Sequence, residues 1–159
     1  MISPTVIIRC DGNARTYQPG DTLRAEYWLE SVLPEEVKTI EVSVLWYSEG
    51  KGDQDLSVHE FRRVSVDQRS VTDARCPGEI FTLLPNSPLS YEGQLVKLRW
   101  CVRVRAFLTR GREVLGQFGF RLGSVSSARV PAKPKAAEPA APAEKKEPPA
   151  EPAAGSELP

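Results

Sequence analysis

Residues 95–108, which read LVKLRWCVRVRAFL, decide the fold class, because apolar and charged side chains alternate along most of the stretch from Val96 to Leu108. The even-numbered positions of this stretch are apolar, and most odd-numbered positions carry a positive charge. A strand places two such sets on opposite faces, whereas a helix with about 3.6 residues per turn distributes both sets around its circumference. We therefore predict a long strand with one buried face and one exposed face.

Other stretches show the same alternation and predict further strands. The strands predicted in this way are residues 6–10, 22–29, 40–47, 56–66, 79–84 and 112–122. Turn-forming residues such as Gly50 and Gly52 separate them, and no stretch shows a long apolar stripe with the helical period. About seven strands with turns between them predict an all-β fold, in which two antiparallel sheets pack face to face as a β-sandwich.

The last part of the chain differs from the rest in composition. The stretch from Pro131 to Pro159 holds eight of the 14 prolines, is rich in Ala, Glu and Lys, and contains no aromatic residue. Such a segment buries too little apolar surface to offset the entropy lost on ordering, and its frequent prolines exclude a helix. We predict a folded domain over residues 1–126 and a disordered tail over residues 127–159.

Composition and charge exclude several classes of protein. The 21 Lys and Arg residues balance the 21 Asp and Glu residues, which argues against a nucleic-acid partner. No run of about 18 apolar residues is present, so no transmembrane segment is expected. The first ten residues lack the basic and apolar regions of a secretory signal.

The three cysteines argue against a metal site and against a disulfide framework. Cys10, Cys76 and Cys101 are an odd number and show no Cys-x-x-Cys spacing. A disulfide between the sheets, as in antibody domains, would need the register of the long strand reversed, because Cys101 lies on its polar face. Reduced thiols fit a cytoplasmic protein, which is the location that we predict.

No catalytic or cofactor-binding constellation appears in the sequence. His59 and Glu60 are neighbours in a predicted strand, so their side chains should point to opposite faces and cannot act on one substrate. Asp53 and Asp55 resemble the start of a calcium loop, but the required glycine and final glutamate do not follow. The motifs of serine hydrolases, zinc peptidases and phosphate-binding loops are absent. We expect no enzymatic activity, no catalytic residue, no metal and no cofactor.

Two turn segments carry a resemblance to a known family. The first is YQPGDTL, residues 17–23, and the second is LPNSPLSYEG, residues 84–93, which leads into the long strand. In order and spacing they resemble the arrestin fold family, over roughly residues 5–123. The resemblance implies a single arrestin-type domain, an arrestin- or immunoglobulin-like sandwich. The positions that match the family motifs are Tyr17, Pro19, Gly20, Asp21, Leu84, Pro85, Pro88, Ser90, Tyr91, Gly93 and Trp100.

We expect these matching residues to be architectural. Pro19 fixes φ and Gly20 can adopt a positive φ, which is the signature of a type II turn. Asp21 can accept hydrogen bonds from backbone amides as the next strand begins. Pro85 and Pro88 restrict the second loop, and Gly93 allows a bend before the long strand.

The basic face of the long strand is the candidate binding surface. It consists of Lys97, Arg99, Arg103 and Arg105. Such a row could contact an acidic protein segment, a phosphorylated partner or acidic lipid headgroups. The alternative, which we favour, is a solvated sheet face with acidic partners on neighbouring strands, for example Glu26, Glu41 or Glu60.

The function predicted from the sequence is protein–protein interaction or scaffolding, through a sheet edge or an outer sheet face. Two alternatives stay open: a sandwich that binds a ligand such as a carbohydrate in its end loops, and a structural homo-oligomer formed by edge pairing. Peripheral contact with acidic lipid is disfavoured, and the partner protein is not specified by the sequence.

Overall fold

The computed structural model describes residues 3–11, 14–65, 77–123 and Val125. This part of the chain is a β-sandwich, which confirms the predicted all-β class. Short 3₁₀-helical turns lie at Pro34–Glu36 and Thr109–Gly111. The strands are β1 (Thr5–Cys10), β2 (Thr16–Tyr17), β3 (Thr22–Glu30), β4 (Val37–Gly50), β5 (Leu56–Ser65), β6 (Gly78–Leu83), β7 (Tyr91–Glu92), β8 (Val96–Leu108) and β9 (Glu113–Leu122).

The nine strands form two sheets of different size. The smaller sheet has the order β1-β3-β6 and is antiparallel. The larger sheet has the order β2-β9-β8-β4-β5, and the short strand β7 adds to β8. All its pairings are antiparallel except the two-residue pairing of β2 with β9. The consecutive strands β4 and β5 form a hairpin, and β8 lies between β4 and β9 in the larger sheet.

The hydrophobic core lies between the sheets and follows the predicted alternation. The even-numbered residues from Trp100 to Leu108 on β8 are all buried, and on β3 the odd-numbered residues from Leu23 to Leu29 are buried too. On β4, Val42 and Val44 complete this inner layer. Trp100 is the largest fully buried side chain, and its ring packs 6.0 Å from that of Phe120, centroid to centroid.

A second, smaller buried pair lies on the outer face of the larger sheet. Leu45 and Cys101 are directly opposite each other on β4 and β8, and both are almost completely inaccessible to solvent. Cys101 therefore occupies the face that the sequence predicted, opposite Trp100. It is a free thiol, as is the buried Cys10 on β1, whereas Cys76 lies outside the described residues.

The first turn segment precedes β3. The amide of Asp21 donates to the carbonyl of Gln18 at 3.0 Å, and Gly20 has a φ of +86°, the value that position i+2 of a type II turn requires. The carboxylate of Asp21 accepts a hydrogen bond from the amide of Gln18 at 2.8 Å. The turn is therefore closed by two hydrogen bonds, one within the backbone and one to the side chain of Asp21.

The second turn segment connects β6 to β7 and β8. The indole of Trp100 donates to the carbonyl of Pro88 at 2.9 Å, which attaches the loop to the core. The hydroxyl of the buried Ser90 accepts a hydrogen bond from the amide of Leu122 at 2.8 Å, and the amide of Ser90 donates to the carbonyl of Leu122 at the same distance. Both segments thus hold one end of the sandwich together.

The strand limits differ modestly from the predicted ones. β4 is longer than residues 40–47 because both of its ends pair with β8. The predicted tail over residues 127–159 lies outside the described residues. Within the described part of the chain, no helix has the length and hydropathy needed to span a membrane.

Candidate interaction surfaces

The four residues of the predicted basic row lie on the outer face of the larger sheet. Three of them are paired with carboxylates: Lys97 with Glu92 at 2.9 Å, Arg99 with Glu49 at 2.8 Å, and Arg105 with Glu113 at 2.9 Å. The guanidinium of Arg103 instead donates to the side-chain oxygen of Gln117 at 3.3 Å and 3.4 Å. The row is thus a set of half-exposed cations whose charge is largely balanced locally.

The pKa shifts agree with this pairing. A hydrogen bond from Lys97 lowers the pKa of Glu92. A hydrogen bond to Glu49 raises the pKa of Arg99, and one to Glu113 raises the pKa of Arg105. Because these side chains are close to half exposed, water screens the pairs and they contribute little to the stability of the fold.

Of the acidic partners that the sequence suggested as examples, Glu41 lies opposite Arg105 and adds to the raised pKa of Arg105, whereas Glu60 and Glu26 pair elsewhere. Glu41 pairs with Arg63 at 3.6 Å and Glu60 with Arg62 at 3.9 Å, both within the β4–β5 side of the sheet. Glu26 lies in the smaller sheet, opposite Arg9 on β1. The carboxylates that reach the basic row come from β4, β7 and β9, the three strands that flank β8.

One end of this outer face opens into a cleft that we call the arginine cleft. It is lined by Arg15, Arg99 and Arg121 together with Tyr47 and Tyr91, and its volume is about 350 Å³. The residues come from separate elements: Arg15 precedes β2, Arg121 is on β9, Arg99 is on β8, and the tyrosines are on β4 and β7. The sheet order therefore brings together cations that are far apart in sequence.

The backbone and a side-chain network define the walls of the arginine cleft. The carbonyl of Arg15 accepts a hydrogen bond from the amide of Arg121 at 2.7 Å, which places Arg15 beside β9. The side-chain amide of Gln117 donates to the hydroxyl of Tyr47 at 3.3 Å, across β8. Gly119 lies among the lining residues, and a Cβ added there would meet no atom closer than 4.0 Å.

A second surface is the side of the sandwich where the edge strands β5 and β6 run beside each other. We call it the β5–β6 margin, and it carries the exposed apolar side chains of Leu56, Val58 and Phe61 on β5 and Phe81 and Leu83 on β6. These are five of the ten exposed large apolar side chains among the described residues. Several exposed apolar groups in a row, as on β5, are typical of interaction sites.

The β5 side chains of the margin share a face. Phe61 pairs with Ser43, and Val58 pairs with Leu45. Those two β4 residues pair on their other side with β8 residues of the outer face. Phe81, in contrast, pairs with the exposed Arg24 and belongs to the outer face of the smaller sheet. Apolar groups therefore flank the margin on both sides.

His59 lies at the centre of this margin, in a β-bulge. Val44 pairs with Glu60 and Leu45 pairs with Val58, so His59 has no partner residue on β4. Its Nε2 contacts the carbonyl of Leu83 on β6 at 2.9 Å, and this nitrogen must be the donor because a carbonyl can only accept. The prediction for His59 and Glu60 assumed a regular strand at this point, and that assumption was therefore wrong.

Two ring contacts also connect β5 to other strands at this margin. The imidazole of His59 packs edge-on against the ring of Trp100, with 6.0 Å between centroids. The guanidinium of Arg62 lies 5.5 Å from the ring centroid of Phe81, a cation–π contact between the two sheets. The bulge and these cross-sheet contacts would hinder regular pairing of an added strand along the whole length of β5.

The opposite side of the sandwich is closed by close packing of β1 against β9. A Cβ added to Gly116 on β9 would lie 2.7 Å from side-chain atoms of Val6 on β1. Nearby, burial raises the pKa of Tyr17 well above its usual value, and the neighbouring Cys10 thiol adds to this shift. On this side of the sandwich, β1 and β9 therefore pack closely against each other.

The thiols of Cys10 and Cys101 are buried in the sandwich. Burial raises the pKa of Cys101 to about 11 and raises that of Cys10, so both thiols stay protonated at neutral pH. Within the described residues, no three His, Cys, Asp or Glu side chains converge in a way that could hold a metal ion.

The remaining residues that match the arrestin motifs lie at the end of the sandwich. Tyr17 is buried with its ring edge-on to Phe120, and Gly93 packs against the ring of Tyr91, where a Cβ would come within 2.4 Å of the ring. Leu84 is fully buried, and Pro85 follows it in the loop. Only Ser90, Tyr91 and Trp100 of these motif residues also line the arginine cleft.

Comparison with known proteins adds information on the fold. No protein-family model and no curated protein sequence matches the chain. Among solved structures, it is similar to Spo0M, a sporulation control protein from Bacillus subtilis, with a TM-score of 0.55 and 10% identity, over 79% of this chain and 51% of that one. A superoxide reductase (neelaredoxin) from Ignicoccus hospitalis is matched at a TM-score of 0.47 and 10% identity, over 75% of this chain and 80% of that one. The chain spans about half the length of Spo0M, and at this identity the similarity to Spo0M concerns the β-sandwich fold alone.

Proposed function

We propose that the protein is a non-enzymatic interaction module of the arrestin-like type, which binds a protein partner through the β5–β6 margin. The observation that carries the proposal is the row of three exposed apolar side chains, Leu56, Val58 and Phe61, on one face of the edge strand β5. A partner that presents an apolar segment would bury these groups and gain roughly 25 cal/mol for each Å² of apolar surface removed from water.

The margin is suited to side-chain docking more than to the addition of a long strand. The bulge at His59 interrupts the regular backbone geometry of β5, and the side chain of Arg62 lies across the gap to β6. The apolar flank formed by Val58 and Phe61 is unobstructed by these features, because it lies on the outer face of the larger sheet. We therefore expect the partner to contact this flank.

Two further observations support binding in place of catalysis. The motif residues that resemble the arrestin family hold one end of the fold together through backbone hydrogen bonds, as architectural residues do. Two groups that could act chemically, the thiols of Cys10 and Cys101, are buried, and the exposed imidazole of His59 is hydrogen-bonded to a backbone carbonyl.

The proposal can be tested with matched bait proteins made from the full chain. The margin variant is Val58→Lys/Phe61→Lys, which places two charges on the apolar flank. The control variant is Leu33→Lys/Leu115→Lys, whose two positions lie outside the margin and are each 56% exposed, against 48% for Val58 and 52% for Phe61. Circular dichroism would verify that both variants are folded.

The proposal predicts that specific partners, identified by mass spectrometry, are recovered with the wild type and the control variant and lost with the margin variant. Recovery of the same partners with all three baits would contradict it, as would equal loss with the two variants. Light scattering on the same proteins tests the alternative that the protein is a homo-oligomer. A wild-type dimer that the margin variant converts to a monomer would identify a second copy of the chain as the occupant.

A further inference from the structure

We propose that the arginine cleft is a second binding site, which accepts an acidic segment of a protein partner. This site is independent of the β5–β6 margin, because β5 and the cleft strands β2 and β9 lie at opposite sides of the larger sheet. The proposal rests on three features of the cleft: an excess of positive charge, the spacing of its cations, and unfilled space.

The first feature is the charge around the cleft. Arg99 and the adjacent Lys97 are balanced by Glu49 and Glu92. Within the described part of the chain, no ion pair joins Arg15 or Arg121 to a carboxylate. The guanidinium of Arg15 lies 5.3 Å from the ring centroid of Phe118, and Arg121 adds to the lowering of the Glu92 pKa without an ion pair. The cleft therefore has two cations in excess, and an anionic ligand would relieve their repulsion.

The second feature is the spacing of the cations. Arg99 and Arg121 lie on the neighbouring strands β8 and β9, which are about 5 Å apart, and Arg15 precedes β2, the next strand of the sheet. An extended acidic segment that crosses these strands could therefore bring its carboxylates to Arg99, Arg121 and Arg15 in turn. Guanidinium groups bind carboxylates in a bidentate manner, and charge-assisted bonds of this kind are about twice as strong as neutral ones.

The third feature is space. The cleft volume of about 350 Å³ lies within the range of ligand-binding sites. Gly119 lines the cleft, yet a Cβ at this position would meet nothing closer than 4.0 Å, so packing does not require a glycine there. The arginines line a concave site bordered by Tyr47 and Tyr91, which suits a narrow peptide better than a flat lipid surface.

The test uses fluorescein-labelled hexaglutamate, with hexaglutamine as the neutral control peptide, and fluorescence anisotropy with the full chain. Arg15→Gln/Arg121→Gln should weaken hexaglutamate binding by about tenfold or more, because two charge-assisted contacts are lost. The matched control Arg24→Gln/Arg63→Gln removes the same net charge at exposed positions elsewhere and should leave the dissociation constant within about twofold.

A steric variant provides a separate test. Gly119→Val fills the cleft without changing any charge, and it should weaken hexaglutamate binding as strongly as the double arginine substitution. The thermal midpoint of unfolding measured on each variant would distinguish blocked binding from lost structure.

Several outcomes would overturn the proposal. These are no hexaglutamate binding by the wild type at millimolar peptide, equal weakening by the two double arginine variants, and normal binding by Gly119→Val. Binding to phosphatidylglycerol vesicles or to inorganic phosphate, without binding to hexaglutamate, would show that those ligands and not an acidic segment occupy the cleft. The margin variant Val58→Lys/Phe61→Lys should bind hexaglutamate normally, so the two sites can fail independently.

Discussion

The amide of Leu84 donates a hydrogen bond to the carbonyl of Asp21 at 2.8 Å, and this bond joins the two turn segments that resemble the arrestin motifs. A second bond runs from the amide of Gly20 to the carbonyl of Leu84 at 3.1 Å. The two segments are more than sixty residues apart in sequence, yet they form one structural unit at the end of the sandwich. Their co-occurrence in the sequence has a direct physical cause, since each segment holds the other in place.

The carboxylate of Asp21 should stabilise this unit measurably. Asp21→Ala removes the acceptor for the amide of Gln18 and should lower the free energy of unfolding by about 1 kcal/mol. Asp21→Asn keeps an oxygen acceptor in the same position and should cost less. Urea unfolding of the three proteins measures the difference, and an Asn variant as unstable as the Ala variant would show that this hydrogen bond is not the cause.

Gly116 and Gly119, both on β9, should respond differently to the same substitution. Gly116→Ala places a Cβ at 2.7 Å from Val6 and should destabilise the fold by about 1–3 kcal/mol, because the two sheets must move apart. Gly119→Ala meets only open space and should leave stability within about 0.5 kcal/mol of wild type. Thermal or urea unfolding compares the two, and equal effects would mean that the contact with Val6 is not limiting.

The sequence was sufficient to predict the fold class because long strands have a strong period-2 signal. The alternation in β3, β4 and β8 located each of these strands and identified its buried face. The strands β2 and β7 were missed, since two residues are too few to show a period. Their pairing with β9 and β8 depends on the turn segments, which position them only in the folded chain.

The candidate sites were less accessible to sequence analysis. The basic row was visible because its four residues share one strand, but their acidic partners depend on which strands flank β8. Glu49 and Glu113 reach the row only because β4 and β9 are its neighbours. Arg15 and Arg121 join Arg99 through the sheet order, and the bulge at His59 leaves no pattern in sequence.

Ser90 should contribute more to stability than a serine with a similar bond at the surface. Ser90→Ala leaves the amide of the buried Leu122 without its side-chain acceptor and should cost about 1–3 kcal/mol. Ser48→Ala removes the corresponding bond from the exposed amide of Asp55, where water can take the place of the hydroxyl, and should cost less than about 1 kcal/mol. Chemical unfolding of both variants tests this order, and the reverse order would contradict it.

The raised pKa of Cys101 predicts how stability changes at alkaline pH. Burial raises this pKa from 9.0 to about 11, so between pH 9 and pH 11 the unfolded chain loses a thiol proton that the folded chain retains. The contribution of Cys101 to the free energy of unfolding is thus present in full below pH 9 and is lost as the pH rises to 11. The free energy of unfolding should fall by up to about 1.4 kcal/mol per pH unit from this thiol.

Urea unfolding from pH 8 to pH 10.5 under reducing conditions would measure this decline, with Cys101→Ala as the control. The decline should be shallower in the control. Part of it should remain, because burial also raises the pKa of Cys10. In a Cys76→Ser background, the folded protein should also resist a thiol reagent at neutral pH, since thiolates are the reactive form and both remaining thiols are buried. Fast labelling of Cys101 in the folded state, or equal pH slopes in the two proteins, would show that this thiol is not held in its protonated form.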